Sequence, residues 1–300
     1  MSTLSHAPTL VVLAGGISTR FGGGKQLATV GPNGEALFDY AILDAYRAGF
    51  RQFVLVIRQD AEREFRTHLN GIWGTALDFA LAFQDLPVAP RTRPWGTGHA
   101  ILSSRAEVHG PFVVINADDW YPPAGYGQLA ATLVDAGRHE HAMVVYPLDS
   151  TPMSPGGGVS RGVCEISNDG FLLSIIEVQG IEHAGEGYVG HTVDGPTMVL
   201  SGSELVSMNL WGFTDAIFES LAGQFHRFQK AHAADHDAEF LVGAAMDAHV
   251  HAGECTVRVI DGGAAGFGMT YRADTTAVTD RIQELIAAGA YPRTLPEGLD

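Results

Sequence analysis

A chain of 300 residues, 46% of them hydrophobic and 17% charged, can bury a substantial core, which excludes disorder. A formal net charge of −16 excludes a general nucleic-acid binder, which needs a basic face. Two distant cysteines, Cys164 and Cys255, exclude a disulfide scaffold and read as reduced thiols of a cytoplasmic protein.

Residues 1–8 lack a signal-peptide profile, and no run of about 18 apolar residues predicts a membrane span. An acidic chain that binds a polyanion must offset repulsion locally, with a few aimed cations and a divalent metal.

In chain order, residues 10–14 predict a buried strand that runs into Gly15-Gly16-Ile17-Ser18-Thr19-Arg20-Phe21-Gly22-Gly23-Gly24-Lys25. Its glycines let backbone N–H groups approach a ligand closely, and Arg20 and Lys25 add charge where a polyphosphate would lie. Taken alone, the loop reads equally as a flexible turn with two solvated cations. Spacing excludes two familiar phosphate loops. The Walker pattern fails because Gln26 follows Lys25, and the dinucleotide pattern fails because Ser18 and Leu27 stand where glycines are needed.

Downstream, the spacing predicts a helix over 38–48, a strand over 53–57, a helix over 61–69 and a strand over 77–83. A helix over 98–105, a strand over 112–116, a helix over 126–136 and a strand over 142–146 complete the alternation. Such alternation indicates a mostly parallel sheet covered by helices, with ligands at the carboxyl ends of the strands. After Pro147 the texture changes to strands at 162–166, 172–177 and 206–213, with an Asn168-Asp169-Gly170 hairpin turn, and helices over 214–221, 238–247 and 276–288. With no repeat and no long linker, the expectation is a single 1–300 domain, 8–147 forming a nucleotide half and 148–300 an acceptor half.

Asp118 and Asp119 follow a predicted strand, where a carboxylate can hold a hard cation such as Mg²⁺, or merely end the strand in a turn. Gln84 could read a base edge with its amide, and Gly96-Thr97-Gly98 would let a base lie on backbone. His226, His232, His236, His249 and His251 read as surface histidines rather than a metal cluster.

The order Leu13-Ala14-Gly15-Gly16-x-x-Thr19-Arg20-x-Gly22…Lys25, then Gln84…Gly96-Thr97-Gly98-His99-Ala100, then Asn116-Ala117-Asp118-Asp119 resembles the nucleoside-diphosphate-sugar pyrophosphorylases. The resemblance runs along nearly the whole chain and is strongest over 10–121. It implies a Rossmann-like, glycosyltransferase-A-type α/β fold: a mixed, mostly parallel sheet flanked by helices, with acceptor-side β insertions. It further implies that Leu13, Ala14, Gly15 and Gly16 cradle the nucleotide, with Arg20 and Lys25 on its phosphates. Gln84, Gly96 and Thr97 would contact the base, and Asp118 would coordinate Mg²⁺. Gly162, Glu177 and Asn209 fall at sugar-binding positions.

The implied reaction is NTP plus sugar 1-phosphate giving NDP-sugar and pyrophosphate, with Arg20, Lys25 and Asp118 catalytic. Two readings compete with it: a cytidylyltransferase for a non-sugar alcohol phosphate, and a nucleotide-sugar-binding regulatory protein without catalysis. The implied partners are small molecules, with neither nucleic acid nor membrane; a homo-oligomer is left open. Two departures stand out. A lysine often follows the sugar-binding Glu to hold the acceptor phosphate, but Val178 is here, leaving Arg161, Arg91 or Arg93 as substitutes. A second metal carboxylate is absent from Phe267-Gly268-Met269-Thr270, leaving Asp274.

Overall fold

The computed structural model describes residues 7–16, 24–84, 91, 93–153, 158–193, 195–263, 266–269 and 271–299. The first strand, β1 (Thr9–Leu13), is buried along its whole length because it lies between β2 (Gln52–Ile57) and β4 (Phe112–Asn116). Its side chains alternate between faces, as a pleated strand requires. Leu10 and Val12 join one core with α1 (Leu37–Arg47), while Val11 and Leu13 join the opposite core. A strand apolar on both faces is the mark of a sheet covered on both sides.

Helix α2 (Glu62–Trp73) returns the chain to β3 (Phe79–Phe83), and α3 (Thr97–Ser103) precedes β4. Strands β3, β2, β1 and β4 pair in parallel in that order. After β4 come the short β5 (Asp119–Trp120), α4 (Ala124–Val134) and β6 (Glu140–Pro147). The expected alternation is thus present, with boundaries shifted by a few residues.

The second half is richer in strands than the sequence suggested. A meander of β7 (Val159–Ile166), β8 (Leu172–Ala184), β9 (Gly187–Thr192) and β10 (Thr197–Leu200) extends the sheet antiparallel. The Asn168-Asp169-Gly170 turn joins β7 to β8, with Gly170 at φ 78°. Strand β11 (Leu205–Phe213) ties the halves together. On one edge it pairs first with β7, through Val206 and Ser207, and then with β4, through Trp211, Gly212 and Phe213. Asn209 lies at the break between the two partners.

Helices α5 (Ile217–Ala231) and α6 (Val242–His251) follow, then β12 (Thr256–Asp261), β13 (Phe267–Gly268) and α7 (Asp274–Ala287). Strand β12 adds to β6 in parallel and was not foreseen. Residues 238–241, expected to be helical, lie outside any helix or strand, and Leu241 is extended. The Phe240 N–H donates to the Trp95 carbonyl (2.6 Å) and its carbonyl accepts from Gly98 N (2.9 Å), so this backbone is committed to the 95–98 segment before α6 begins. No helix among the described residues is long and apolar enough to cross a membrane.

Candidate active site

The carboxyl ends of β1 and β4 lie side by side, Leu13 in register with Asn116. They open into a cavity of about 460 Å³ lined by Leu13, Gly15, Gly16, Lys25, Asn116 and Asp118, with Gln84, Gly96 and Thr97 across from them. The structure therefore gathers most of the expected nucleotide residues around one space. Ala14 is buried behind it, and its N–H is taken by the Val56 carbonyl (2.8 Å). Arg20 lies outside the described residues, with the rest of 17–23.

Lys25 sits in a short 3₁₀ turn, Lys25–Leu27, and is 8% exposed. Its Nζ forms an ion pair with Asp118 Oδ2. Just after Lys25, Gln26 Nε2 donates to the Gly16 carbonyl (2.9 Å).

Gln84 is buried at the end of β3. Its Nε2 donates to the Gly96 carbonyl (3.0 Å) and faces His99 Nδ1 (3.3 Å). A Cβ on Gly15 would come within 2.8 Å of Gln84 Oε1, so the amide fills the space that this glycine leaves. With its Nε2 bonded to the Gly96 carbonyl, Gln84 shapes the wall.

Gly96 has φ 97°, a conformation closed to side chains, and a Cβ there would press on the Phe240 carbonyl at 2.8 Å. The Thr97 hydroxyl accepts from Val242 N (3.0 Å). Next to this platform Trp95, His99 and Phe240 pack on Phe225 at ring separations of 4.5–5.7 Å, and Phe228 packs on Trp95 and Phe240. Trp95 thus supports the wall from behind. No local signal marks 238–241 as part of the cavity, where Glu239 and Leu241 join its lining.

Asp118 and Asp119 diverge. Asp118 faces the cavity, its side chain 27% exposed. Asp119 accepts from Asn116 Nδ2 (2.9 Å), and burial followed by the charge of Asp118 pushes its carboxyl above the ordinary range. Gly268 of β13 packs over Asp119, and Trp120 stacks on Phe267 at 4.8 Å. Strand β13 therefore covers this acidic turn without adding a carboxylate. Asp274 accepts from Tyr271 N (2.7 Å) at the start of α7 and is not in the lining of the larger cavity.

Among the described residues no three His, Cys, Asp or Glu are grouped to hold a metal. A hard cation that takes most of its oxygens from a bound polyphosphate still fits, since it needs only one or two carboxylates, and Asp118 presents one beside the Asn116 and Asn209 amides. Of the five histidines expected at the surface, His226, His236 and His251 are exposed, His232 is half-buried against Phe228, and His249 is buried against Ser220 and Glu254.

A smaller cavity of about 80 Å³ adjoins the first and shares Asn116 and Asn209 with it. Gly162 and Glu177 face each other across β7 and β8 and line it, with Arg161, Asp119 and Ser207. All three expected sugar-side positions, Gly162, Glu177 and Asn209, are thus together. Burial raises the Glu177 carboxyl to about 7, against the opposing pull of Arg161. Asn209 is the sole non-glycine residue among those described with positive φ, 62°. Its N–H donates to Ser207 Oγ (3.1 Å), which holds the bulge that turns β11 from β7 to β4.

The sequence matches the model of the MobA-like NTP transferase domain over residues 10–174, more than half of the chain. The chain belongs to this family. It is a nucleotidyltransferase whose glycine loop, Gln84 and Asp118 all lie inside the matched region. Among solved structures, the inositol-1-phosphate CTP transferase from T. maritima is similar, with a TM-score of 0.64 at 16% identity over 93% of this chain and 97% of that one. At that identity the likeness is one of fold, and it agrees with the Rossmann-like, glycosyltransferase-A-type architecture. No curated protein matches the sequence.

Proposed function

We propose that this transferase moves a nucleotidyl group from an NTP to a sugar 1-phosphate, giving an NDP-sugar and pyrophosphate. The observation that carries the reading is the pair of adjoining cavities, one under the glycine loop and one between β7, β8 and β11, which meet at Asn116 and Asn209. Two anionic reactants placed in them would come together beside Asp118. On this reading both halves of the chain, 8–147 and 148–300, form one functional unit. Free Cys164 and Cys255 suit a reducing compartment such as the cytoplasm.

An acceptor phosphate oxygen attacks the α-phosphorus in line with departing pyrophosphate. A phosphate monoester is already an anionic nucleophile, so no strong base is needed, and catalysis consists of alignment and charge neutralisation. Leu13, Gly15 and Gly16 offer a close-fitting wall to the nucleotide, and Gly96 and Thr97 a platform for its base. Lys25 would exchange Asp118 for phosphate oxygens, with Arg20 as a second cation from the same loop. Asp118 would hold Mg²⁺, which when bound neutralises charge on the leaving pyrophosphate. Glu177 would accept from acceptor hydroxyls.

The missing lysine at Val178 and the fold shared with an inositol-1-phosphate CTP transferase favour one second reading, a cytidylyltransferase for a non-sugar alcohol phosphate. One experiment separates the two. ATP, CTP, GTP and UTP are each incubated with a panel of sugar 1-phosphates and with inositol 1-phosphate, with Mg²⁺ present, and pyrophosphate release is scored. Turnover confined to CTP and inositol 1-phosphate would replace the sugar reading. Absence of release with every pair would overturn both.

A further inference from the structure

Val178 is fully buried in a small core with Leu148, Val159 and Ile181, so no cation can stand at the position after Glu177. We propose that Arg161 holds the acceptor's phosphate in this protein, from the strand opposite. The proposal rests on the reading of the smaller cavity as the acceptor site.

Register is the first support. The β7–β8 ladder sets Arg161 directly against Val178 and Gly162 against Glu177. Directly opposed residues of an antiparallel pair have their Cβ atoms about 5 Å apart. A long guanidinium side chain from the neighbouring strand can therefore serve the space that a lysine at 178 would serve.

Bonding is the second. Arg161 lines the smaller cavity, where Nη1 donates to the Ser160 carbonyl (2.9 Å) and Nη2 to the Pro152 carbonyl (2.9 Å). Its Nε is closed off from solvent and has no hydrogen-bond partner among the described residues. No carboxylate among those residues lies within ion-pair distance of it, although Asp119 and Glu177 line the same cavity. A guanidinium carries five N–H donors in a fork that matches phosphate oxygens; with Nε closed off and one N–H of each Nη on a carbonyl, the second N–H of Nη1 and of Nη2 is left for an anion.

Elimination is the third. Arg91 is spent inside the protein, donating to the carbonyls of Arg93 (3.0 Å), Asp235 (3.2 Å), Pro94 (3.2 Å) and Ala238, and stacking on Trp95 at 3.9 Å. Arg93 is exposed at the larger cavity, 3.9 Å from Asp237. Among the described residues only Arg161 is both cationic and at the lining of the smaller cavity. In the reaction an acceptor phosphate oxygen bonds to the α-phosphorus, the α–β bridging bond breaks, and its electron pair leaves on pyrophosphate. Arg161 forms no covalent bond; it orients the acceptor and offsets charge on the non-attacking oxygens.

The test is calorimetric titration of the whole protein with glucose 1-phosphate, inositol 1-phosphate and each of the four NTPs, in the wild type and in Arg161→Ala, Arg161→Gln and Arg161→Lys. Loss of a charge-assisted contact should weaken acceptor binding by about tenfold to a hundredfold in the Ala and Gln variants. NTP binding should stay within about twofold, and Lys should recover part of the loss as a point charge without the fork. Thermal melts identify any variant that does not fold, and the remaining variants then carry the test. Unchanged acceptor affinity in the folded variants, an equal loss of NTP affinity, or no acceptor binding to the wild type would overturn the proposal. Pyrophosphate release is measured in parallel. Arg161-dependent binding without release would keep the anion site and remove the transfer reading, whereas release with Arg161-independent binding would do the reverse.

Discussion

The Lys25 ammonium rests on the Asp118 carboxylate, joining the end of the glycine loop to the end of β4 across the mouth of the larger cavity. Neither side chain is free to meet solvent fully, so each is held at the cavity in a defined place.

The proposed roles of this pair predict that Lys25→Met and Asp118→Asn each lower turnover by about 10²–10³. Lys25→Met also leaves Asp118 unpaired beside Asp119, at a cost of roughly 1–2 kcal/mol for a half-buried pair. The double variant should then be more stable than Lys25→Met alone in urea unfolding. Near-normal pyrophosphate release by either single variant would remove the assigned roles.

Asp44 gives a pH dependence of stability. Burial raises its carboxyl to about 7, although Tyr291 donates to it at 2.6 Å and Arg47 lies near. The folded state therefore holds a proton that the unfolded chain releases near pH 4. Stability from this group is full below that value and declines as pH rises to about 7, by at most about 1.4 kcal/mol per pH unit. Asp44→Asn keeps an acceptor for Tyr291 and removes the charge. Its Tm should exceed that of the wild type above pH 7 and converge with it near pH 4; parallel melting curves across that range would contradict the assignment.

Gly96→Ala should destabilise the protein by about 2–4 kcal/mol, combining a backbone conformation forbidden to side chains with a contact at the Phe240 carbonyl. Because the Gly96 carbonyl anchors Gln84, the KM for NTP should rise more than kcat falls. Equal unfolding midpoints for variant and wild type would show that the platform yields freely.

Arg91→Lys separates a structural arginine from a ligand-binding one. Lysine cannot reproduce the fork that serves four carbonyls, and a loss of about 2–3 kcal/mol in urea unfolding is expected. The KM for the acceptor should not move. A raised acceptor KM with unaltered stability would reverse the assignments of Arg91 and Arg161.

The nucleotide side was largely legible from sequence because its signals are local. A run of β-branched and apolar residues specifies β1, and Asn116-Ala117-Asp118-Asp119 ends β4 in an acidic turn. Residues 238–241 misled because their pattern continues into the helical spacing of α6. Backbone pairing of Phe240 with Trp95 and Gly98 outweighs that propensity. Strand β12 was missed for a related reason: its half-buried alternation is short and takes its meaning only from β6 alongside.

The acceptor side divides differently. From the sequence follow the residue types available there: a glycine, a glutamate, an asparagine, and a valine where a lysine would be expected. Which of Arg91, Arg93 and Arg161 is left with donors to spare is not a property of any local segment. Tertiary structure decides it, by lining up carbonyls around Arg91, exposing Arg93, and setting Arg161 opposite Val178 in the ladder. Chain neighbours fix propensity over a few residues, whereas the partner of a charge depends on strand register and on which loops close over it.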